Sequence, residues 1–203
     1  TGQNSNDIIN LYKSFGLNVI FLPLFSFLFF RNDEIKFPFY KQNTLEKRFI
    51  TLNRGIKPFR KLLFEFLKNN DLFKFGEYSF LFENISSFDE NIDKNDNSVF
   101  GSSIINKFGF NKNCFLNFVV ETCNQDYLIF NGNKLKYNFV SEKTVKALYT
   151  GLPFIIIGEP NLLNHLKSYG IKTFNMFWDE SYDDEFDMNN RTSKAFDILK
   201  NIC

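Results

Sequence analysis

Apolar positions along this chain fall into short continuous runs separated by stretches with the spacing of a helix face. Residues 49–52 (FITL) are such a run and end at Asn53-Arg54-Gly55. After a turn carrying Gly55 and Pro58, apolar side chains recur at Phe59, Leu62, Leu63, Phe66 and Leu67, which predicts an amphipathic helix. Gly76 closes this unit, and residues 78–82 (YSFLF) predict the next strand. Residues 115–120 (FLNFVV) are apolar throughout with β-branched residues at the end, the pattern of a strand covered on both faces. Residues 140–149 predict a helix, with Ser141 as its N-cap because a serine hydroxyl accepts from free amides of a first turn. Residues 153–157 (PFIII) predict a buried strand ending at Gly158. Pro160 then suits the first turn of a helix reaching Tyr169, and Gly170 suits its end. A further strand is expected over 171–174 and a terminal helix over 191–202. From about residue 48 onward, strand and helix alternate, which predicts an α/β fold with a largely parallel sheet. Residues up to about 41 are apolar and irregular instead.

The apolar run over 19–30 (VIFLPLFSFLFF) is interrupted by Pro23 and is too short to span a membrane, which takes roughly twenty apolar residues. It lacks the basic start and small-residue cleavage site of a signal peptide, and a buried strand is expected there. The 203 residues suit one compact domain or one lobe of a larger protein. Among them are 29 Phe, alongside much Asn, Lys and Ile; these residues share AT-rich codons, so the bias reads as coding composition.

The 24 basic and 23 acidic residues leave a net charge of +1, which argues against bulk nucleic-acid binding, since that needs a surplus of cations against phosphate. A local basic site for one small phosphate ligand remains compatible with it. Cys114, Cys123 and Cys203 form no CxxC pair and are odd in number, so neither a zinc site nor a disulfide scaffold is indicated, and a reducing, cytoplasmic compartment is expected. Asn84-Ile85-Ser86 and Asn190-Arg191-Thr192 are formal glycosylation sequons and carry little weight without a secretory signal. His165, the only histidine, has no nucleophile pattern beside it and reads as structural. The acidic residues over 179–187 do not have EF-hand spacing and read as a solvated face. Phe177 and Trp178 are expected to pack the terminal helix against the sheet.

The segment 139–160 (FVSEKTVKALYTGLPFIIIGEP) holds the sharpest chemistry. Ser141-Glu142-Lys143 opens a helix, and the unpaired amides and partial positive charge of a helix start suit a phosphate. Lys143 adds a full charge, and the Glu142 carboxylate suits two neighbouring hydroxyls, as on a ribose. Ligands of open α/β sheets collect at the carboxyl ends of the strands, and Gly158 lies at such an end.

This arrangement resembles the donor-binding motif of the α1,3-fucosyltransferases, a family of GT-B glycosyltransferases. Residues 115–121 (FLNFVVE) match a strand ending in an acidic residue, though Thr122 stands where the family has Asn. Phe139-Val140-Ser141-Glu142-Lys143 matches the aromatic-Val-Thr-Glu-Lys segment, and residues 153–160 match the strand and Gly-x-Pro turn that follow. Upstream, residues 49–60 (FITLNRGIKPFR) match a strand, an Asn-containing loop with Asn53, and an Arg after a Pro-x pair. The similar region covers roughly residues 48–176, with an insertion-like polar stretch over 124–138. The run over 163–182 is associated with fucosyltransferase-like proteins of phages, large viruses and bacteria.

The resemblance implies a Rossmann-like nucleotide-sugar-binding lobe over 48–203 and an N-terminal segment over 1–47 that is the remnant of, or linker to, an acceptor domain. It implies that Glu142 binds the donor ribose, that Lys143 and Arg60 clamp the diphosphate, and that Phe139 sits beside the base or sugar without the hydroxyl of the family's Tyr. Asn53, Glu121, Ser141 and Gly158 complete the expected donor site. The implied reaction transfers a sugar from a nucleoside diphosphate sugar, with GDP the expected carrier, to a glycan or other hydroxyl with inversion and without a cofactor or metal. The acceptor's carboxylate base is expected in the acceptor domain, outside these residues. The alternatives are a lobe that binds a nucleotide sugar or a partner without transfer, and an interaction module with exposed aromatic patches.

Overall fold

A computed structural model of the chain describes residues 45–87, 114–121, 127–130, 133–136 and 140–203. The apolar run over 19–30, Cys123 and Phe139 lie outside these residues, as does most of the segment 1–47.

Five strands make the main sheet in the order β3-β2-β1-β4-β7: β1 (Lys47–Asn53), β2 (Gly76–Phe80), β3 (Ile85–Ser86), β4 (Cys114–Val120) and β7 (Phe154–Ile157). All neighbours are parallel except the short β3, which runs antiparallel to β2. The fold is therefore α/β with a mostly parallel sheet, as the alternating pattern predicts. A separate two-stranded antiparallel sheet, β5 (Tyr127–Phe130) with β6 (Asn133–Lys136), occupies the stretch that reads as a polar insertion.

Strand order reverses between β1 and β4. The chain goes from β1 through helix α1 (Pro58–Asn69) to β2 on one side, and from β4 through α2 (Glu142–Thr150) to β7 on the other. Helices α3 (Leu162–Ser168) and α4 (Met188–Ile202) follow β7.

Helix α1 starts at Pro58, whose fixed φ and missing amide suit that position. Its buried residues are Arg60, Leu63, Phe64 and Leu67, an i, i+3, i+4, i+7 set, so the inner face is turned from the expected one and Leu62 is exposed. A polar residue thus sits on the core stripe, and an apolarity count misses it. Phe64 meets Phe80 of β2 edge-on at 5.5 Å, and Phe66 stacks on Phe196 of α4 at 4.7 Å. Phe118 of β4 lies 6.0 Å from Phe196, so α1 and α4 share the cover of one region of the sheet. Gly76 opens β2 beneath Phe49, whose ring would stand 2.2 Å from an added Cβ.

All four residues of β7 are buried, as its apolar run requires. Its outer edge is closed by Tyr182, whose phenol oxygen accepts from the Ile156 amide at 3.3 Å. Helix α3 begins two residues after Pro160, which lies in the preceding turn, and Asn161 is the N-cap with left-handed φ. At its other end, Gly170 has φ +80°, its amide reaches the Lys167 carbonyl at 2.9 Å, and the Ile171 amide reaches the Leu166 carbonyl at 3.3 Å. That is the double closure expected of a glycine-stopped helix.

Two expectations fail here. Residues 171–174 form no strand, because the Phe174 amide donates to Glu180 Oε1 at 2.6 Å and a side chain takes the role a ladder would play. Helix α4 begins at Met188 rather than 191, where Asp187 accepts from the Asn190 amide at 2.9 Å. No helix among the described residues is long and apolar enough to cross a membrane.

Candidate functional site

The carboxyl ends of β1, β4 and β7 bring together Asn53, Glu121 and Gly158, with Arg60 and Ser141 arriving from the starts of α1 and α2. The site thus lies on the edge where strand order reverses, the place where open α/β sheets bind ligands.

Arg60 is 3% exposed. Its Nη1 donates to the Gly55 carbonyl at 3.0 Å and its Nη2 to the Val120 carbonyl at 3.5 Å. One guanidinium therefore joins the loop after β1 to the last residue of β4 across the reversal. Asn53, at the end of β1, is fully buried; its amide donates to Thr51 Oγ1 at 3.0 Å, and its Oδ1 has no hydrogen-bond partner among the described residues.

Glu121 is fully buried and directed at the start of α2. Its Oε1 accepts from the Ser141 amide at 3.1 Å, the Thr144 amide at 3.3 Å and the Thr144 hydroxyl at 2.5 Å, and its Oε2 accepts from the Ser141 hydroxyl. The Ser141 hydroxyl also accepts from the Lys143 amide at 3.2 Å, so Ser141 is the N-cap that its position predicts. These contacts correct one expectation. The amides of Lys143 and Thr144 are already taken, so the helix start is not an open row of donors for a phosphate. Cationic side chains remain as the means of holding an anion here. Lys143 is half-buried at the second position of α2, and Glu142 is the first residue of that helix.

Gly158 lies in a crowded place. An added Cβ would stand 2.4 Å from Leu162 Cδ2 and 3.6 Å from Glu121 Cγ.

The acidic tail is a solvated face only in part: Asp179, Asp184 and Asp187 are exposed, whereas Glu180 and Asp183 are buried. Asp183, 3% exposed, accepts from the amides of Leu163 at 2.8 Å and Asn164 at 3.4 Å, capping α3. Burial pushes its carboxyl up to about 7, against the pull of those amides. Glu180 bonds Thr173 and the Phe174 amide and pairs with Lys167 at 3.2 Å. Glu185 pairs with Lys194 at 3.0 Å, and Asp179 bonds Ser181. The sequence misses the roles of Glu180, Asp183 and Glu185 because their partners lie on other turns or helices. It misses equally the buried Glu159, next to Gly158, and the buried Arg191 of α4, whose Nη1 donates to the Glu185 carbonyl at 2.5 Å.

Phe177 does not pack α4 on the sheet: it is 70% exposed. Trp178 stacks on Phe174 at 5.5 Å, which in turn meets Phe154 of β7 edge-on at 4.9 Å. His165 is half-buried and edge-on to Tyr169 at 4.9 Å, and burial lowers its pKa.

Compared with protein-family models, curated proteins and solved structures, the chain matches none.

Proposed function

We propose that this chain is the Rossmann-like donor lobe of a GT-B glycosyltransferase of the fucosyltransferase type, binding a nucleoside diphosphate sugar at the carboxyl edge of β1, β4 and β7. The convergence of Asn53, Arg60, Glu121, Ser141 and Gly158 on that edge supports the reading most, because these residues come from separate segments. The nature of the ligand rests on the resemblance of the 139–160 and 49–60 segments, and on the basic side chain of Lys143 at the start of α2.

In this reading Lys143 meets the diphosphate and stabilises the leaving charge when the sugar departs. Glu142 accepts from the ribose hydroxyls. Arg60 aligns the loop after β1 with the end of β4, and its positive charge lies beneath the diphosphate. The sugar passes to a glycan hydroxyl with inversion, and the base comes from an acceptor domain.

Calorimetric titration with GDP, UDP and CDP tests this directly. One of the three, with GDP expected, binds the wild-type chain, and Lys143→Ala and Glu142→Ala each weaken it about tenfold. A folded chain that binds none of them contradicts the reading.

A second reading is a lobe that binds a partner without transfer. The exposure of Met176, Phe177 and Phe186, at 80%, 70% and 67%, favours it, since large apolar side chains grouped on one short segment mark interaction surfaces.

A further inference from the structure

We propose that Glu121 is a positioning residue of this site: its carboxylate does not touch the ligand but fixes the first turn of α2, and with it the backbone carrying Glu142 and Lys143. The inference rests on the nucleotide-sugar reading and replaces the direct ligand contact that the resemblance implies for Glu121.

An ionised carboxylate has about four acceptor positions. Those of Glu121 face four donors, namely the amides and hydroxyls of Ser141 and Thr144. Three of the four converge on Oε1 and one on Oε2, and the side chain is fully buried, so a ligand hydroxyl finds no access. Gly158 at the end of β7 lies beside the side chain, where an added Cβ would stand 3.6 Å from Glu121 Cγ.

The neighbouring residue does complementary work. The Val120 carbonyl accepts from Arg60, which also holds the Gly55 carbonyl. Consecutive residues at the end of β4 therefore grip the α1 side of the strand reversal through Val120 and the α2 side through Glu121. A ligand held between the loop after β1 and Lys143 needs their spacing fixed, and β4, paired on both sides, is the element that fixes it. Hydrogen bonds from both hydroxyls and both amides make the tie directional: it sets the rotation of the first turn as well as its place.

The test compares Glu121→Gln, Glu121→Leu and Thr144→Val with the wild-type chain, by calorimetry with GDP, UDP and CDP and by amide hydrogen exchange at Lys143 and Thr144. Gln keeps the length and an acceptor oxygen in the place of Oε1, and the Ser141 hydroxyl, which faces Oε2, can reorient to accept from its amide. Wild-type-like affinity is therefore expected for Glu121→Gln. Glu121→Leu is expected to lose about tenfold in affinity, the usual effect of removing a side chain that orients a ligand-binding group, with faster exchange at both amides. Thr144→Val removes a single bond and is expected to fall between the two.

Equal losses in Glu121→Gln and Glu121→Leu would mean direct ligand contact and overturn the proposal. So would an unchanged affinity in a folded Glu121→Leu. If Glu121→Leu does not fold, Thr144→Val decides, and faster exchange with unchanged affinity overturns the idea. A wild-type chain that binds none of the diphosphates overturns the parent reading, and this inference with it; binding by wild type with no effect in the variants overturns this inference alone.

Discussion

At the start of α2 the carboxylate of Glu121 accepts from two amides and two hydroxyls, while at the start of α3 that of Asp183 accepts from the amides of Leu163 and Asn164. Both acids are buried and both cap a helix from a distant place in the chain. They differ in origin and surroundings. Glu121 follows β4, a strand paired on both sides, so it ties α2 to the interior of the sheet. Asp183 comes from the irregular tail, beside Asp184, which opposes its ionisation, and Arg191, which favours it. Burial outweighs the two amides there and pushes the carboxyl up to about 7. The same capping chemistry thus serves the candidate site edge in one case and the start of α3 in the other.

Removing the caps breaks the comparison most strongly. Glu121→Ala leaves buried amides without their acceptor and is expected to cost about 3 kcal/mol, against about 2 kcal/mol for Asp183→Ala, which loses fewer bonds. Urea denaturation of both variants measures the difference, and a larger cost for Asp183→Ala would invert the ranking.

Gly158 lies between the two caps, so Gly158→Ala tests whether they share one packed edge. Its methyl would press on Leu162 at the start of α3 and touch Glu121. A cost of about 1–2 kcal/mol is expected, with part of it relieved by Leu162→Ala in the double variant. Strictly additive effects would separate the sites.

Gly170→Ala acts at the far end of α3, where φ is +80° and space is open, so only backbone strain is added. About 1 kcal/mol is expected by thermal denaturation.

The most specific effect is the pH dependence of Asp183. Its folded pKa lies above the ordinary value of 3.8, so between 3.8 and about 7 the folded chain holds a proton that the unfolded chain has released. Stability from this group is therefore greatest at low pH, falls as pH rises through that window, and is level above it. Asp183→Asn keeps an acceptor for Leu163 and has no such titration. The wild type should lose stability relative to Asp183→Asn between pH 4 and pH 7.5 on urea curves, and parallel pH profiles would show that Asp183 ionises freely.

Much of this architecture was legible because it is local. The FITL and PFIII runs, the Pro58 start, the Ser141 cap and the Gly170 stop each depend on neighbours within one turn of chain. The site edge was legible as residue types, since Asn53, Arg60, Glu121, Ser141 and Gly158 are the residues that meet there. How they are used was not. Arg60 on the core stripe of α1 turned the helix face away from Leu62, against the apolar pattern. The bonds of Glu121 to Ser141 and Thr144 cross twenty and more residues, and no periodicity carries such a pairing. The strand expected over 171–174 had the right composition, but Glu180 claims its backbone.

The central claim is that the edge joining Arg60, Glu121 and the first turn of α2 binds a nucleoside diphosphate. The most direct measurement is the change in backbone amide resonances on adding GDP. The account predicts saturable shifts grouped at residues 53–60, 120–121, 141–144 and 158. Shifts confined to the exposed segment around Met176, Phe177 and Phe186, or none at millimolar GDP, would contradict it.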